Sequence, residues 1–139
     1  MYWAAEAPNK SCTFMNVEDR KTKIESFEQL TVWQKSIEFC VLIYKNTENF
    51  PSSEQFGLTN QLRRASSSIS ANIAEGFGRR TKNDKLHFYT IAYGSLLEVK
   101  SFLYLAQKLG YLNDISSLIL NTADLQKLLN AFIASTRKM

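Results

Sequence analysis

The feature of the sequence that most constrains its fold is a long proline-free stretch, from Lys82 to Leu109, that is apolar on nearly every side. A helix of this kind is buried against neighbours on several sides. Thr81 is a good N-cap with Asp84 three residues later, and Gly110 is a good helix stop. We therefore expect a long helix that packs inside a small domain and also offers a second apolar side to another subunit.

Two helices are predicted before this stretch, from about Thr31 to Asn46 and from about Glu54 to Glu75. Thr31 and Gln34 have the spacing of a capping box, and Ser52 with Gln55 can cap the second helix after Pro51 ends the first. Gly76 or Gly78 can end the second helix in the left-handed conformation. The predicted buried stripes are Leu30, Trp33, Ile37, Cys40, Val41 and Tyr44, and then Leu58, Leu62, Ala65, Ile69 and Ile73.

A fourth helix is predicted from about Asp114 to Ser135, with a seam of apolar residues and Thr122. The chain has 139 residues with only two prolines and five glycines, and the connections between the helical segments are short. Short connections favour antiparallel neighbours. The predicted fold is all-α, an antiparallel up-down-up-down four-helix bundle over residues 27–139, preceded by an irregular N-terminal arm over residues 1–26 that Trp3 and Phe14 could dock.

Composition and motifs argue against several classes of protein. Two cysteines without a CxxC or a histidine spacing give no zinc site, and Cys40 is expected to be a core thiol. The start lacks a signal-peptide pattern, and the run "FCVLIY" is too short to cross a bilayer. We expect a soluble, cytoplasmic protein that needs no cofactor or metal and binds no small-molecule substrate.

Catalytic patterns are missing from the sequence. The chain has one histidine, His87, and lacks the metalloprotease, phosphate-loop, nucleophile-elbow and dinucleotide-binding motifs. Asp84 precedes His87 by three residues, but one such pair supplies too few ligands for a di-iron site. The sequence therefore predicts a protein that is not an enzyme, with His87 as an ordinary surface or interface residue.

Basic residues are concentrated between Asn60 and Lys85, where six basic and two acidic residues give an excess equal to the net charge of +4 of the whole chain. Such a band can be a solvated surface near a turn or a contact site for phosphate. Exposed loop arginines beside a helix N-terminus suit phosphate contact. The candidate nucleic-acid-binding residues are Arg63, Arg79, Arg80, Lys82 and Lys85.

A second polar group on the same helix is expected to be architectural. Residues in steps of three or four share one face, so Arg64, Asn72 and Glu75 need partners on a neighbouring helix. If the third helix is antiparallel to the second and the turn lies near residues 78–80, residues at the same height have numbers that sum to about 159. Arg64 is then level with Ser95 and one turn from Glu98. We expect a network that fixes helix register; direct use of Asn72 and Glu75 in binding remains the alternative.

The segments "FEQLTVWQKS", "FPSSEQFGLTNQLRRASSSISANIAEGFGRR" and "IAYGSLLEVKSFLYLAQKLGYL" resemble the 23S ribosomal RNA intervening-sequence proteins, a family of bacterial four-helix bundles. The resemblance covers about residues 27–112. The second helix carries most of it, in order and spacing, and the third supplies Ala92, Gly94, Ser95 and Glu98. The matching positions of the second helix and the turn after it are Gln61, Arg64, Ala65, Ser68, Asn72, Ile73, Ala74, Glu75, Gly76 and Arg79.

The resemblance implies a homo-oligomer, with a pentamer expected because a related group forms basic pentameric barrels. That group, the accessory variability determinants of diversity-generating retroelements, binds nucleic acid and a reverse transcriptase. Two hypotheses follow for this chain. It is either an oligomeric protein that binds structured RNA through a basic face, or a protein-interaction scaffold such as an accessory subunit for a retroelement reverse transcriptase. The family brings no catalytic residues with it.

Overall fold

The computed structural model describes residues 23–139, which form four α-helices and no strand. These are α1 (Thr31–Asn46), α2 (Leu58–Phe77), α3 (Lys82–Lys108) and α4 (Ser116–Arg137). Short 3-10 helices at Phe27–Gln29 and Ser52–Glu54 precede α1 and α2. The predicted all-α four-helix fold is confirmed. Residues 1–22 of the predicted arm, with Trp3 and Phe14, lie outside the described residues.

Each helix runs antiparallel to its neighbour in the chain, and α1 and α4 also meet, which closes the bundle. The contact between α2 and α3 is the most extensive and that between α1 and α4 is the least. The α1–α4 side leaves a groove of about 360 Å³ that Phe39 and Leu42 line from α1, and Asp124 and Leu128 from α4. The helix–helix contacts of the bundle are therefore unequal in extent.

Small residues allow α2 and α3 to approach closely. Ala65 of α2 and Ala92 and Ala106 of α3 are fully buried. Gly76 is the tightest point, because a β-carbon there would lie 2.6 Å from the Tyr89 ring and 2.9 Å from Phe88 Cβ. Real β-carbons do not come that near other atoms, so this crossing requires glycine. The predicted seam of α2 is buried throughout, and it faces the apolar side chains of α3.

The ends of α3 follow the sequence closely. Asp84 N donates to Thr81 Oγ1 at 3.2 Å, which confirms Thr81 as the N-cap. At the other end Gly110 has a positive φ of 80°. Tyr111 N donates to Ala106 O and Gly110 N to Gln107 O, the paired hydrogen bonds of a Schellman motif. The predicted stop at Gly110 is thus confirmed.

Other predicted helix ends were wrong. Gly78 has a φ of −76°, so α2 ends without a left-handed residue, and Gly76 lies inside the helix. The start of α2 is Leu58 rather than Glu54, because the carboxylate of Glu54 accepts from Leu58 N at 2.7 Å and caps the helix from the preceding turn. Ser52 and Gln55 make no cap.

The start of α1 is also capped differently from the prediction. Leu30 is the N-cap residue, without a side-chain hydrogen bond, and the capping box lies one turn earlier, between Ser26 and Gln29. Gln34 reaches back with Nε2 to donate to the carbonyl oxygen of Glu28 at 2.7 Å. These contacts attach the short 3-10 helix to α1.

The predicted buried stripe of α1 was right at Leu30, which is buried, and at Trp33, which packs against the core, but wrong at its other apolar positions. The buried face comprises Val32, Ser36, Phe39 and Ile43, whereas Ile37, Val41 and Tyr44 are 38%, 48% and 43% exposed. Both sets have helical spacing. The buried set is the one that includes Ser36, whose hydroxyl donates to Trp33 O within the helix. Cys40 is half-buried, with Sγ 3.4 Å from Ser66 Oγ. A row of apolar side chains therefore faces solvent on α1.

No helix within residues 23–139 has the length and apolar character needed to cross a membrane.

The α2–α3 crossing yields a stability prediction. Gly76→Ala should lower the free energy of unfolding by about 1–3 kcal/mol, because the new methyl group must displace the Tyr89 ring. The matched control is Gly94→Ala on α3, where a β-carbon meets nothing within 4 Å. That change should stabilise by about 0.5–1 kcal/mol through the backbone entropy of glycine. Urea unfolding followed by circular dichroism measures both, and equal effects of the two changes would contradict the crossing geometry.

Candidate nucleic-acid interface

The turn between α2 and α3 carries two exposed arginines at one end of the bundle. Arg79 places its guanidinium carbon 4.4 Å from the centre of the Phe88 ring, a cation–π contact with the first turns of α3. Arg80 is exposed and has no polar side-chain contact among the described residues. The turn thus presents one guanidinium held by an aromatic ring and one that extends into solvent.

The two predicted lysines of this region are partly engaged inside the chain. Lys85 Nζ donates to Phe77 O at 2.6 Å, which closes the last turn of α2. Lys82 Nζ donates to Met139 O at 3.3 Å and to Arg137 O at 3.5 Å, and thereby joins the start of α3 to the end of α4. Each ammonium has three donors, so both lysines keep donors for an external anion.

Two further basic residues, Arg137 and Lys138, lie at the same end of the bundle and were not predicted from the sequence. They reach it because α4 runs antiparallel to α3, so its last turn is beside Lys82. The signal was available in the predicted up-down-up-down order, which places the end of the fourth helix next to the start of the third. We name the six side chains of Arg79, Arg80, Lys82, Lys85, Arg137 and Lys138 the basic end.

Arg63 does not belong to the basic end. It lies sixteen positions before Arg79, roughly 24 Å away at about 1.5 Å per helical residue. Its Nε donates to Thr47 Oγ1 at 3.0 Å, and its guanidinium carbon lies 4.7 Å from the centre of the Tyr44 ring. Arg63, which the sequence predicts to bind nucleic acid, therefore lies across α1 and away from the other predicted residues.

The architectural group of polar residues links α2 to α3. Arg64 Nη2 lies 2.8 Å from Glu98 Oε1 and 3.1 Å from Gln61 Oε1. The hydroxyls of Ser68 and Ser95 are 3.0 Å apart, and Asn72 Nδ2 donates to the Ser68 hydroxyl and carbonyl. The residue numbers sum to 162 for the Arg64–Glu98 pair and to 163 for the Ser68–Ser95 pair. The predicted sum was about 159, so α3 is shifted along α2 by three or four residues from the predicted register.

Glu75 makes no polar side-chain contact among the described residues, and it is exposed. It lies near the basic end with Asp84, whose backbone N–H bonds the N-cap hydroxyl of Thr81. These two acids leave the region with a clear positive excess. His87 is exposed, its ring edge-on to Phe88 with the centres 5.6 Å apart. Within residues 23–139, no three His, Cys, Asp or Glu side chains are grouped to hold a metal ion.

The Arg64–Glu98 pair gives a second testable prediction. The two side chains are 54% and 35% exposed, so solvent screens their attraction. A double-mutant cycle with Arg64→Gln and Glu98→Gln should give a coupling energy of about 0.2–1 kcal/mol that falls at 1 M salt. The change Lys35→Gln with Glu38→Gln, at a pair within α1, is the matched control. A coupling well above 1 kcal/mol that salt leaves unchanged would contradict an exposed pair.

Comparison with known proteins matches most of the described residues. A family model described as 23S rRNA-intervening sequence protein matches residues 28–131. A crystal structure of a protein with unknown function from the S23 ribosomal protein family of Bacteroides thetaiotaomicron VPI-5482 is similar, with 29% identity and a TM-score of 0.65. The match covers 73% of this chain and 97% of that one. The comparison with curated proteins finds no match. Because the family model spans most of the four helices, the chain belongs to the 23S rRNA-intervening sequence protein family.

Proposed function

We propose that this protein is a non-enzymatic, cytoplasmic homo-oligomer that binds structured RNA through its basic end. The observation that carries the proposal is the convergence of six basic side chains from three helix ends, those of α2, α3 and α4, on one surface. Phosphate contacts from lysine and arginine supply most of the sequence-independent affinity for nucleic acid. Glu75 and Asp84, the two acids between Asn60 and Lys85, offset part of that positive charge.

The geometry of the turn supports RNA as the ligand in a second way. Arg79 is held against Phe88, so its guanidinium loses less freedom when it contacts a phosphate or a base. The N-terminus of α3 adds a partial positive charge beside it. A guanidinium held by a ring and a solvent-exposed one thus lie next to each other in the turn, which suits a ligand whose charge is spread along a backbone.

Self-association is part of the proposal, with a ring of five subunits as the expected form. The exposed row on α1 (Ile37, Val41 and Tyr44) is apolar and contains no charged residue. On α3, Leu97 and Tyr104 are also about half exposed. Apolar patches of this kind commonly mark protein interfaces. A closed ring would bring several basic ends together and strengthen RNA binding through multivalency.

The second candidate function is a protein-interaction scaffold, such as an accessory subunit for a retroelement reverse transcriptase. Two observations favour it. The same apolar row could receive a different protein, and the intramolecular contacts of Lys82 and Lys85 reduce the number of fully free cations at the basic end. This hypothesis predicts that RNA binds weakly and that changes at the basic end act only through overall charge.

The RNA proposal is tested by fluorescence anisotropy with labelled fragments of 23S ribosomal RNA at several salt concentrations. Arg79→Ala with Arg80→Ala should weaken binding and lower the slope of log K against log salt by about one to two, because each arginine releases about one counterion. The matched control is Lys45→Ala with Lys108→Ala, two lysines at the opposite end of the bundle. The control should leave the slope near that of the wild type. Equal slopes for both double variants, or no binding at moderate salt, would favour the scaffold.

Self-association is tested by sedimentation velocity. Val41→Glu should dissociate the oligomer, since it places a charge in each copy of the apolar row, where burial of an unpaired carboxylate costs several kcal/mol. The control Asn130→Glu adds the same charge on the exposed side of α4. A monomeric wild-type protein would contradict the proposal, as would an oligomer that survives Val41→Glu.

A further inference from the structure

A second cavity lies at the end of the bundle opposite the basic end, where the loop after α1 turns back toward α2. It is an open groove of about 320 Å³, a size within the range of small-molecule sites. The side chains that decide its chemistry come from the end of α1, the loop and the first turns of α2. They are Thr47, Glu48, Ser52, Gln55, Thr59 and Arg63.

Arg63 gives the groove a fixed positive charge. Its Nε donates to Thr47 Oγ1 at 3.0 Å, its Nη2 contacts Tyr44 O at 3.4 Å, and the Tyr44 ring lies below the guanidinium. These contacts use two of the five N–H donors of an arginine. No carboxylate lies within 4.0 Å of Arg63 in the part of the chain that the structure describes. The charge is therefore half-buried, held in one orientation and without an ion-pair partner among the described residues.

Hydrogen-bonding groups without partners surround that charge. Thr59 is only 9% exposed, yet its hydroxyl makes no hydrogen bond to any described residue. Since no fully buried polar atom of residues 23–139 lacks a partner, the hydroxyl must reach solvent, and Thr59 is one of the residues that line the groove. The Ser52 hydroxyl and the Gln55 amide also line the groove and have no side-chain hydrogen bond among the same residues.

We propose that this groove binds the phosphate group of a small molecule. A phosphate has several acceptor oxygens, and a guanidinium with two hydroxyls and an amide offers donors from several directions. Glu48 is the one acid at the groove. Its carboxylate makes no ion pair with Arg63, and it opposes the incoming anion by charge repulsion.

The site is independent of the RNA proposal, because it lies roughly 24 Å along α2 from the turn that carries Arg79 and Arg80. A backbone phosphate of RNA has the same chemistry as a free phosphate monoester. The two sources differ in what else must be present, since a small molecule should bind the groove when no RNA is added.

The experiment is isothermal titration calorimetry of the full-length protein with inorganic phosphate and with glycerol 3-phosphate. Arg63→Gln should weaken binding about tenfold or more, because it removes the charged donor. Thr59→Val, which keeps the shape of the side chain, should weaken binding a few-fold. Glu48→Gln should tighten binding a few-fold, and Lys45→Gln, an exposed lysine near the end of α1, serves as the control for loss of charge and should change little.

Several outcomes would overturn the inference. One is a wild-type protein that binds neither probe at tens of millimolar, and another is an equal loss for Arg63→Gln and Lys45→Gln. Thr59→Val and Glu48→Gln keep the test decisive if circular dichroism shows that Arg63→Gln does not fold. If Arg63→Gln weakens RNA binding while phosphate fails to bind the wild type, the groove is part of an RNA surface and the small-molecule assignment fails.

Discussion

The close approach of α2 and α3 is the constraint on which the other features of the structure depend. Gly76 against Tyr89 allows the two backbones to meet, and alanines elsewhere along the contact keep them near. Once the helices are this close, the Ser68–Ser95 hydrogen bond and the Arg64–Glu98 pair fall at one register. At the end of α2, the turn after Phe77 places Arg79 over the ring of Phe88. The polar contacts select the alignment, while the missing side chain of a glycine makes the alignment possible.

The arginines and lysines of α2, α3 and α4 divide according to what holds them. Arg64 is neutralised by a carboxylate, Lys85 completes a helix end, and Arg63 rests on a tyrosine ring across α1. Arg79 and Arg80 contact no carboxylate within residues 23–139. A count of basic residues treats these groups alike, although their electrostatic environments differ. The two proposed sites follow from this division, since each uses cations that form no ion pair with a described residue.

Much of the fold was predictable from local patterns, because helix ends and apolar periods depend on nearby residues. The start of α3 at Thr81, its stop at Gly110 and the seam of α2 are of this kind. The buried face of α1 was not predictable, since two apolar stripes with the same period compete and only packing against the other helices selects Val32, Phe39 and Ile43. The contribution of Arg137 to the basic end is a different case, because the predicted up-down-up-down order already placed the end of α4 beside Lys82. It was missed because a charge count along the sequence does not join residues more than fifty positions apart.

The helix–helix contacts of the bundle differ in extent, and this difference affects where the bundle unfolds locally. The helices α2 and α3 share the widest contact, whereas α1 and α4 meet least and leave a groove between them. Local opening begins where few buried contacts must be broken. We therefore expect the four-helix bundle to open first between α1 and α4. The α2–α3 hairpin would then remain as a unit, with its amide hydrogens exchanging last. In such a bundle the α2–α3 pair is the most rigid part, and α1 and α4 are the helices that can move relative to it.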